Sequence, residues 1–89
     1  MLKEFRVNFR LHQFGRQKIQ VPKDSVFIRL YYEPESWNLT LYFMYQDPEE
    51  VSEDRIIIFN NRAPGCHNVD RYLGSFVAKT TSWYVYFEQ

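Results

Sequence analysis

The sequence predicts an all-β fold, either a small antiparallel β-sandwich or a partly open barrel of about seven short strands. Three observations support this. Apolar and polar residues alternate with a period of two along much of the chain. Turn signals recur at intervals of about 8–12 residues. Helical patterns are limited to one or two short turns at most, and the 89 residues fit a single β domain, 1–89.

Two strands are predicted before the first long hairpin. Residues 5–12 alternate apolar with polar side chains, which is typical of a strand with one buried face. The second strand, 17–22, ends at Pro22 because proline has no N–H to donate to a sheet. The next strand, 26–33, is predicted to direct four apolar side chains toward the core: Val26, Ile28, Leu30 and Tyr32.

The rest of the chain contains the clearest hairpin signals. Residues 26–33 and 37–46 are predicted to pair, with Trp37 on the same face as the aliphatic residues that follow it. The acidic segment "DPEEVSED", 47–54, has the capping pattern of one helical turn. Residues 55–60 are almost continuously apolar, which predicts a central strand covered on both sides. The last hairpin pairs residues 72–79 with 82–88.

The charge composition favours some classes of function over others. The chain has 11 basic and 11 acidic residues, and this zero net charge disfavours a dedicated nucleic-acid binder. The charge is uneven, since residues 1–45 are net basic and 46–89 net acidic, and patches of opposite sign can steer a protein partner. One cysteine cannot form an internal disulfide, and no apolar run suggests a membrane span or signal peptide. We therefore expect a soluble protein of the cytoplasm.

The stretch "NNRAPGCHNVDRYLG", Asn60 to Gly74, contains the only residues that suggest chemistry. Cys66, His67 and Asp70 are the residue types of a thiol nucleophile, its base and an orienting acid. However, adjacent side chains in an extended segment point apart, and catalytic partners usually come from separate elements. A structural zinc site needs four Cys or His ligands, and the chain has three. We predict no catalytic residue, no metal and no cofactor, and therefore no enzyme.

The same stretch is long enough to be either a structural connection or a recognition loop. If it recognises a partner protein, its contact residues are predicted to be Asn61, Arg62, His67, Asp70 and Arg71. Outward-facing tyrosines can extend that contact surface, because tyrosine is enriched at protein interfaces. The outward residues predicted from the alternation are Tyr31, Tyr42, Met44, Tyr84 and Tyr86, and either a second layer covers them or they form an interface. Of these, Tyr42, Tyr84 and Tyr86 are the predicted partner contacts.

Two other binding functions remain open. The polar side of the first strand carries Arg6 and Arg10, and Lys18 beside them would complete a basic strip for single-stranded nucleic acid. Alternatively, exposed strand edges could pair two copies into a homodimer. The neutral charge favours a protein partner over nucleic acid.

Several features follow one another along the chain: Val21-Pro22, Asp47-Pro48, Arg55, Tyr72-Leu73-Gly74 and Trp83. Their order resembles a family of small phage-encoded β-rich proteins of unknown function. The resemblance covers most of residues 5–88, although "NNRAPGCHN" departs from the family's Gly-Thr-Gly-His-like turn. It implies a viral origin and no particular activity. By analogy with other small phage proteins, it suggests binding to a host defence or regulatory factor in the host cell cytoplasm.

Overall fold

The computed structural model describes residues 2–10, 15–46, 51–62 and 71–88. Seven strands occupy these ranges, and all of their pairings are antiparallel, which confirms the predicted all-β class. The described ranges contain no α-helix, and so none that could cross a membrane. The strands are β1 (Leu2–Arg10), β2 (Arg16–Pro22), β3 (Val26–Glu33), β4 (Asn38–Gln46), β5 (Ser52–Asn60), β6 (Tyr72–Ala78) and β7 (Thr81–Glu88).

The strands form two sheets. The three-stranded sheet has the order β1-β4-β3, and the four-stranded sheet has the order β2-β5-β7-β6. The predicted hairpins β3–β4 and β6–β7 are both present. Consecutive strands β1 and β2 belong to different sheets, so the chain changes layer early. β5 and β6 both pair with β7 and therefore lie on its two sides.

One apolar core joins the two sheets as a sandwich. The rings of Phe9 and Phe59 meet edge to face at 5.0 Å, and those of Tyr32 and Phe76 stack at 4.8 Å. Each pair has one ring from each sheet, so alternate residues of both sheets fill the same interior. The fully buried centre consists of Val21, Leu39, Leu41, Phe43, Ile57 and Val85.

The prediction for the start of β3 is wrong. A β-bulge between Phe27 and Arg29 shifts the register against β4, and Phe27 packs on Phe43 with ring centroids 5.8 Å apart. Val26 and Ile28, which the alternation placed in the core, are instead 61% and 52% exposed. A bulge adds one residue and so reverses the face of everything on one side of it.

Other local predictions also change. Trp37 lies in the turn before β4 with φ 57°, exposed, and the Lys79 ammonium lies 4.0 Å from its ring centroid. β5 is central in its sheet, but Ile56 and Ile58 are only partly buried, so its outer side is not covered. β5 begins at Ser52, which replaces the end of the predicted helical turn by strand; residues 47–50 lie outside the described ranges.

Candidate functional site

The two sheets present outer faces of different character, and each is defined here by its residues. The tyrosine face is the outer face of the four-stranded sheet, and the arginine face is the outer face of the three-stranded sheet. The tyrosine face contains Ile56, Ile58, Tyr72, Tyr84 and Tyr86. The arginine face contains Arg6, Arg10, Arg29, Tyr31 and Tyr42.

The centre of the tyrosine face is an apolar row that crosses three strands. Ile58 of β5 pairs with Tyr86 of β7, which pairs with Tyr72 of β6. The Tyr72 and Tyr84 rings lie 6.5 Å apart, centroid to centroid. Asn60 approaches this row, with its Nδ2 3.5 Å from the Tyr86 hydroxyl oxygen. Directly paired side chains on one face of a sheet touch, so these residues form a continuous patch.

Two ion pairs border the tyrosine face. Arg16 binds Glu88 through two guanidinium nitrogens, with Nε to Oε1 at 3.2 Å and Nη2 to Oε2 at 2.9 Å. Lys18 Nζ lies 3.2 Å from Asp54 Oδ2. The bond from Arg16 lowers the pKa of the Glu88 carboxyl, and that from Lys18 does the same for the pKa of Asp54. Each cation on this border is therefore neutralised by an anion, Lys18 by one on the adjacent strand β5 and Arg16 by one on β7, across β5.

A groove of about 530 Å³ lies beside these pairs. Its apolar part comes from Ile56 and Phe87, and the charged residues around it belong mostly to the two pairs. Such a shape can receive a protruding apolar side chain of a partner. The residues that line it are Lys18, Asp54, Arg55, Ile56, Phe87 and Glu88.

The arginine face is built around Tyr42. Register places Arg6 of β1 and Arg29 of β3 on either side of this tyrosine of β4. Their guanidinium carbons lie 5.3 Å and 4.0 Å from its ring centroid, within cation–π range. Arg6 also pairs with Glu4 at 2.9 Å. Among the described residues, Arg29 has no carboxylate within ion-pair distance, so its charge is not neutralised there.

The next row of the arginine face is polar and aromatic. Thr40 Oγ1 donates a hydrogen bond to Asn8 Oδ1 at 2.6 Å. Tyr31 pairs with Thr40 on the other side and is 50% exposed. Arg10 follows one position further along this face of β1. The exposed Tyr31 ring thus lies in the same row as the Thr40 hydroxyl and the Asn8 amide, near the arginines of this face.

The structure divides the residues that the sequence grouped together. Tyr84 and Tyr86 lie on the tyrosine face, whereas Tyr42 lies on the opposite side of the sandwich. Lys18 is on the tyrosine face with Asp54, so it does not extend a strip with Arg6 and Arg10. The basic strip expected from the sequence is therefore split between the two sheets.

Only the ends of the predicted recognition loop are described. Asn61 and Arg62 are exposed and follow β5, and the Arg62 amide donates to Asn60 Oδ1 at 3.1 Å. Arg71 precedes β6, on the other side of β7. Cys66, His67 and Asp70, the residues considered for chemistry or recognition, lie outside the described ranges.

Sequence reasoning missed four residues of the two faces. Ile56 and Ile58 were assigned to a covered strand because the run around them is apolar on both sides. Arg29 was not grouped with Arg6 because the bulge in β3 decides which face it occupies. Tyr72 precedes a second register shift, before Gly74, that also hides its orientation from simple alternation. Only the strand pairing and its register show which face these residues occupy.

Within 2–10, 15–46, 51–62 and 71–88, no three or more His, Cys, Asp or Glu side chains cluster to hold a metal. Every buried polar side-chain atom in these ranges has a hydrogen-bond partner. What the described surface offers is contact area, apolar on one face and basic on the other.

Comparisons with known proteins give no identity. No protein-family model matches the chain. No curated protein and no solved structure matches it either. The resemblance to small phage-encoded β-rich proteins therefore stays a prediction.

Proposed function

We propose that this protein is a non-enzymatic binding module that docks a partner protein on its tyrosine face. The observation that carries the proposal is the continuous row Ile58–Tyr86–Tyr72, which crosses three adjacent strands without an intervening charge. Tyrosine supplies a large apolar ring with a polar tip, which is why it is enriched in the energetic centres of interfaces.

The charge arrangement of the face supports the same function. Charged residues are depleted at the centre of interfaces and tolerated at the rim. Here Arg16–Glu88 and Lys18–Asp54 lie at the border, and each pair is already neutral. A partner that covers the centre would leave these pairs at the solvated rim, so it would not bury an unpaired charge.

The scaffold under the face favours binding without rearrangement. β5 and β7 are the interior strands of their sheet, and their inner residues Ile57 and Val85 are fully buried. A contact surface held by paired strands loses little conformational freedom on binding. The tyrosine face is therefore a rigid surface, and its side chains alone need to adjust.

Features of the four edge strands direct association to a face and disfavour edge pairing. β3 and β6 each contain a β-bulge, and β2 ends at Pro22. β1 carries the exposed charges of Glu4 and Arg6. Bulges, prolines and charges on edges all oppose the addition of another strand. A second copy paired by its edges is thus the weaker alternative.

The partner class follows from the resemblance described above. If the chain is phage-encoded, the partner is a protein of the host cell, such as a defence or regulatory factor. The proposal about the tyrosine face does not depend on that origin. It requires only a partner surface with an apolar centre that covers the row Ile58–Tyr86–Tyr72.

Matched baits test the proposal. The wild type, Tyr84→Ala/Tyr86→Ala and the control Tyr31→Ala/Tyr42→Ala, which truncates two tyrosines on the opposite face, are immobilised and exposed to host lysate. A protein captured by the wild type is then purified, and its dissociation constant is measured. We expect Tyr84→Ala/Tyr86→Ala to weaken binding at least about 30-fold, the equivalent of one hot spot of about 2 kcal/mol. The control should bind like the wild type.

Three outcomes would contradict the proposal. The first is equal loss in both double variants, and the second is loss in the control alone. The third is a captured species that consists only of further copies of this chain, shown by sedimentation of the purified protein. Circular dichroism melting of each bait establishes that it is folded before binding is compared.

A further inference from the structure

The arginine face has a composition that the protein-docking function does not use. It combines three arginines, Arg6, Arg10 and Arg29, with two tyrosines and a polar Asn8–Thr40 row on one three-stranded sheet. The negative residues on the same side are Glu4 and Glu33, of which Glu4 is engaged by Arg6. Three arginines against two carboxylates give the face a net charge of 3 − 2 = +1, whereas the two cations of the tyrosine face are both paired with carboxylates.

From this arrangement we infer that the arginine face binds single-stranded nucleic acid. Proteins that hold single strands combine cationic groups, which contact phosphates, with exposed rings, on which bases stack. Arg29 provides the cation, because no described carboxylate neutralises it. Tyr31 provides the ring, because it is 50% exposed on the same face of the same strand.

Tyr42 has a different role from Tyr31. Its ring is flanked by Arg6 and Arg29, at 5.3 Å and 4.0 Å from its centroid, so it is already in contact with two guanidinium groups. Those contacts hold both guanidinium groups against the sheet and reduce the freedom that they lose when they meet a phosphate. Tyr42 is thus a positioning residue for the two cations.

The Asn8–Thr40 row lies between the cation–π row and Arg10. The Asn8 side chain accepts a hydrogen bond from Thr40, which leaves its amide N–H groups directed away from that bond. Donors of this kind can meet base or sugar oxygens of an unpaired strand. An acidic peptide could also use the arginines and the amide groups, but it offers no series of flat bases to stack on Tyr31. This difference favours nucleic acid over an acidic protein segment.

The small number of cations sets the expected strength of binding. On a single strand, the logarithm of the binding constant should fall with the logarithm of salt at a slope of about −0.7 if Arg29 alone contacts a phosphate, and of about −2 if Arg6 and Arg10 also exchange their present partners for phosphates. Arg29→Gln should make that slope shallower by about 0.7. Tyr31→Ala should weaken binding by about 5- to 150-fold through the loss of one stacked base.

The test uses fluorescence anisotropy with a fluorescein-labelled oligothymidine of about 10 nucleotides. The full chain is titrated at salt concentrations between about 50 and 200 mM. Arg16→Gln is the matched control for Arg29→Gln, because it removes one arginine from the opposite face. Tyr72→Ala is the matched control for Tyr31→Ala on the same reasoning. We expect both controls to bind like the wild type.

Several results would overturn the inference. No anisotropy change at the lowest salt would do so, as would equal binding of polyglutamate or of a duplex of the same length. Equal weakening by Arg16→Gln and Arg29→Gln would show a general charge effect without a site. Tyr84→Ala/Tyr86→Ala should retain oligonucleotide binding, so failure here and failure of the protein-docking proposal can be distinguished.

Discussion

Both outer faces of the sandwich consist of alternate residues of paired strands, and they differ in how their charges are paired. On the tyrosine face, Arg16 and Lys18 each meet a carboxylate of another strand, and the apolar row Ile58–Tyr86–Tyr72 is left without charge. On the arginine face, the Arg29 guanidinium lies over the Tyr42 ring, and no described carboxylate is within ion-pair distance of it. The lesson is that cross-strand pairing, more than composition, decides what a face can bind, since both faces carry arginine and tyrosine.

The largest expected effect comes from breaking the scaffold that both faces share. Gly74 has φ +155°, and a Cβ there would lie 2.7 Å from Leu30 Cδ2 of the other sheet. We expect Gly74→Ala to lower the free energy of unfolding by about 2–4 kcal/mol, through backbone strain and overpacking. Chemical denaturation measures this, and both binding activities should decline together.

Gly15→Ala is the matched control for the scaffold prediction. Gly15 also has positive φ, +137°, but a Cβ there meets nothing within 4 Å. It should therefore show only the backbone strain, about 1–2 kcal/mol. Equal losses in the two variants would mean that the contact between Gly74 and Leu30 does not limit how the sheets pack.

A second prediction compares how much Arg55, which packs against the core, and Arg29, on the arginine face, contribute to the free energy of unfolding. The Arg55 side chain is 21% exposed, and its guanidinium lies 5.8 Å and 5.4 Å from the ring centroids of Phe43 and Phe87. Arg55→Ala should lower the free energy of unfolding by about 1–3 kcal/mol, since it removes packing at the end of the core. Arg29→Ala, on the arginine face, should cost less than about 1 kcal/mol.

Thermal melting of these two arginine variants checks the prediction. Arg55→Met, which keeps much of the apolar length of the side chain, should recover part of the loss. If Arg29→Ala were as destabilising as Arg55→Ala, Arg29 would be a structural residue. Its proposed availability to a ligand would then be wrong.

A third prediction separates stability from binding. Lys79 and Thr80 form the turn between β6 and β7 with φ 49° and 65°, and a β-branched residue is strained at positive φ. Thr80→Gly should therefore stabilise the protein by about 1 kcal/mol and leave binding at both faces unchanged. Asp24→Gly, at φ 61°, should gain less because aspartate tolerates this conformation. Melting temperatures that rank the two variants in the reverse order would contradict this reading of the turn.

The smallest expected effect is a decrease in the free energy of unfolding at acidic pH. Arg16 lowers the pKa of Glu88 below its ordinary 4.5, so the stability from this pair is present above that pH and is lost as pH falls through the lowered value. In Glu88→Gln, the stability lost as pH falls should be smaller by the contribution of this pair. Because the pair is exposed, the change should be small and should shrink further at high salt. Unfolding curves between about pH 2 and 7, compared for the two proteins, measure it.

Much of the fold was predictable because each strand buries one side. The alternation in β4 and β7 marks the buried residues Leu39, Leu41 and Val85 correctly, and the two hairpins follow from short turns between strongly patterned runs. Alternation is a local signal, and it persists wherever a strand is regular.

The candidate site was predictable only in part, because the faces depend on long-range pairing. The bulge at Phe27 and Arg29 arises from register against β4, which no local pattern reveals. Nor does the sequence show that β1 and β2 belong to different sheets, so Lys18 was placed beside Arg6. Tyr84 and Tyr86 were correctly expected to face outward, but their neighbours on that face were not identified.

One measurement tests the central claim that the two faces are distinct and that the tyrosine face docks the protein partner. Isotope-labelled protein is titrated with the purified partner, and shifts of its backbone amide signals are mapped on the structure. The account predicts shifts at Ile58, Tyr72 and Tyr86, with the amide signals of Arg6 and Arg29 unchanged. Shifts centred on Arg6 and Arg29, with the tyrosine face silent, would contradict it.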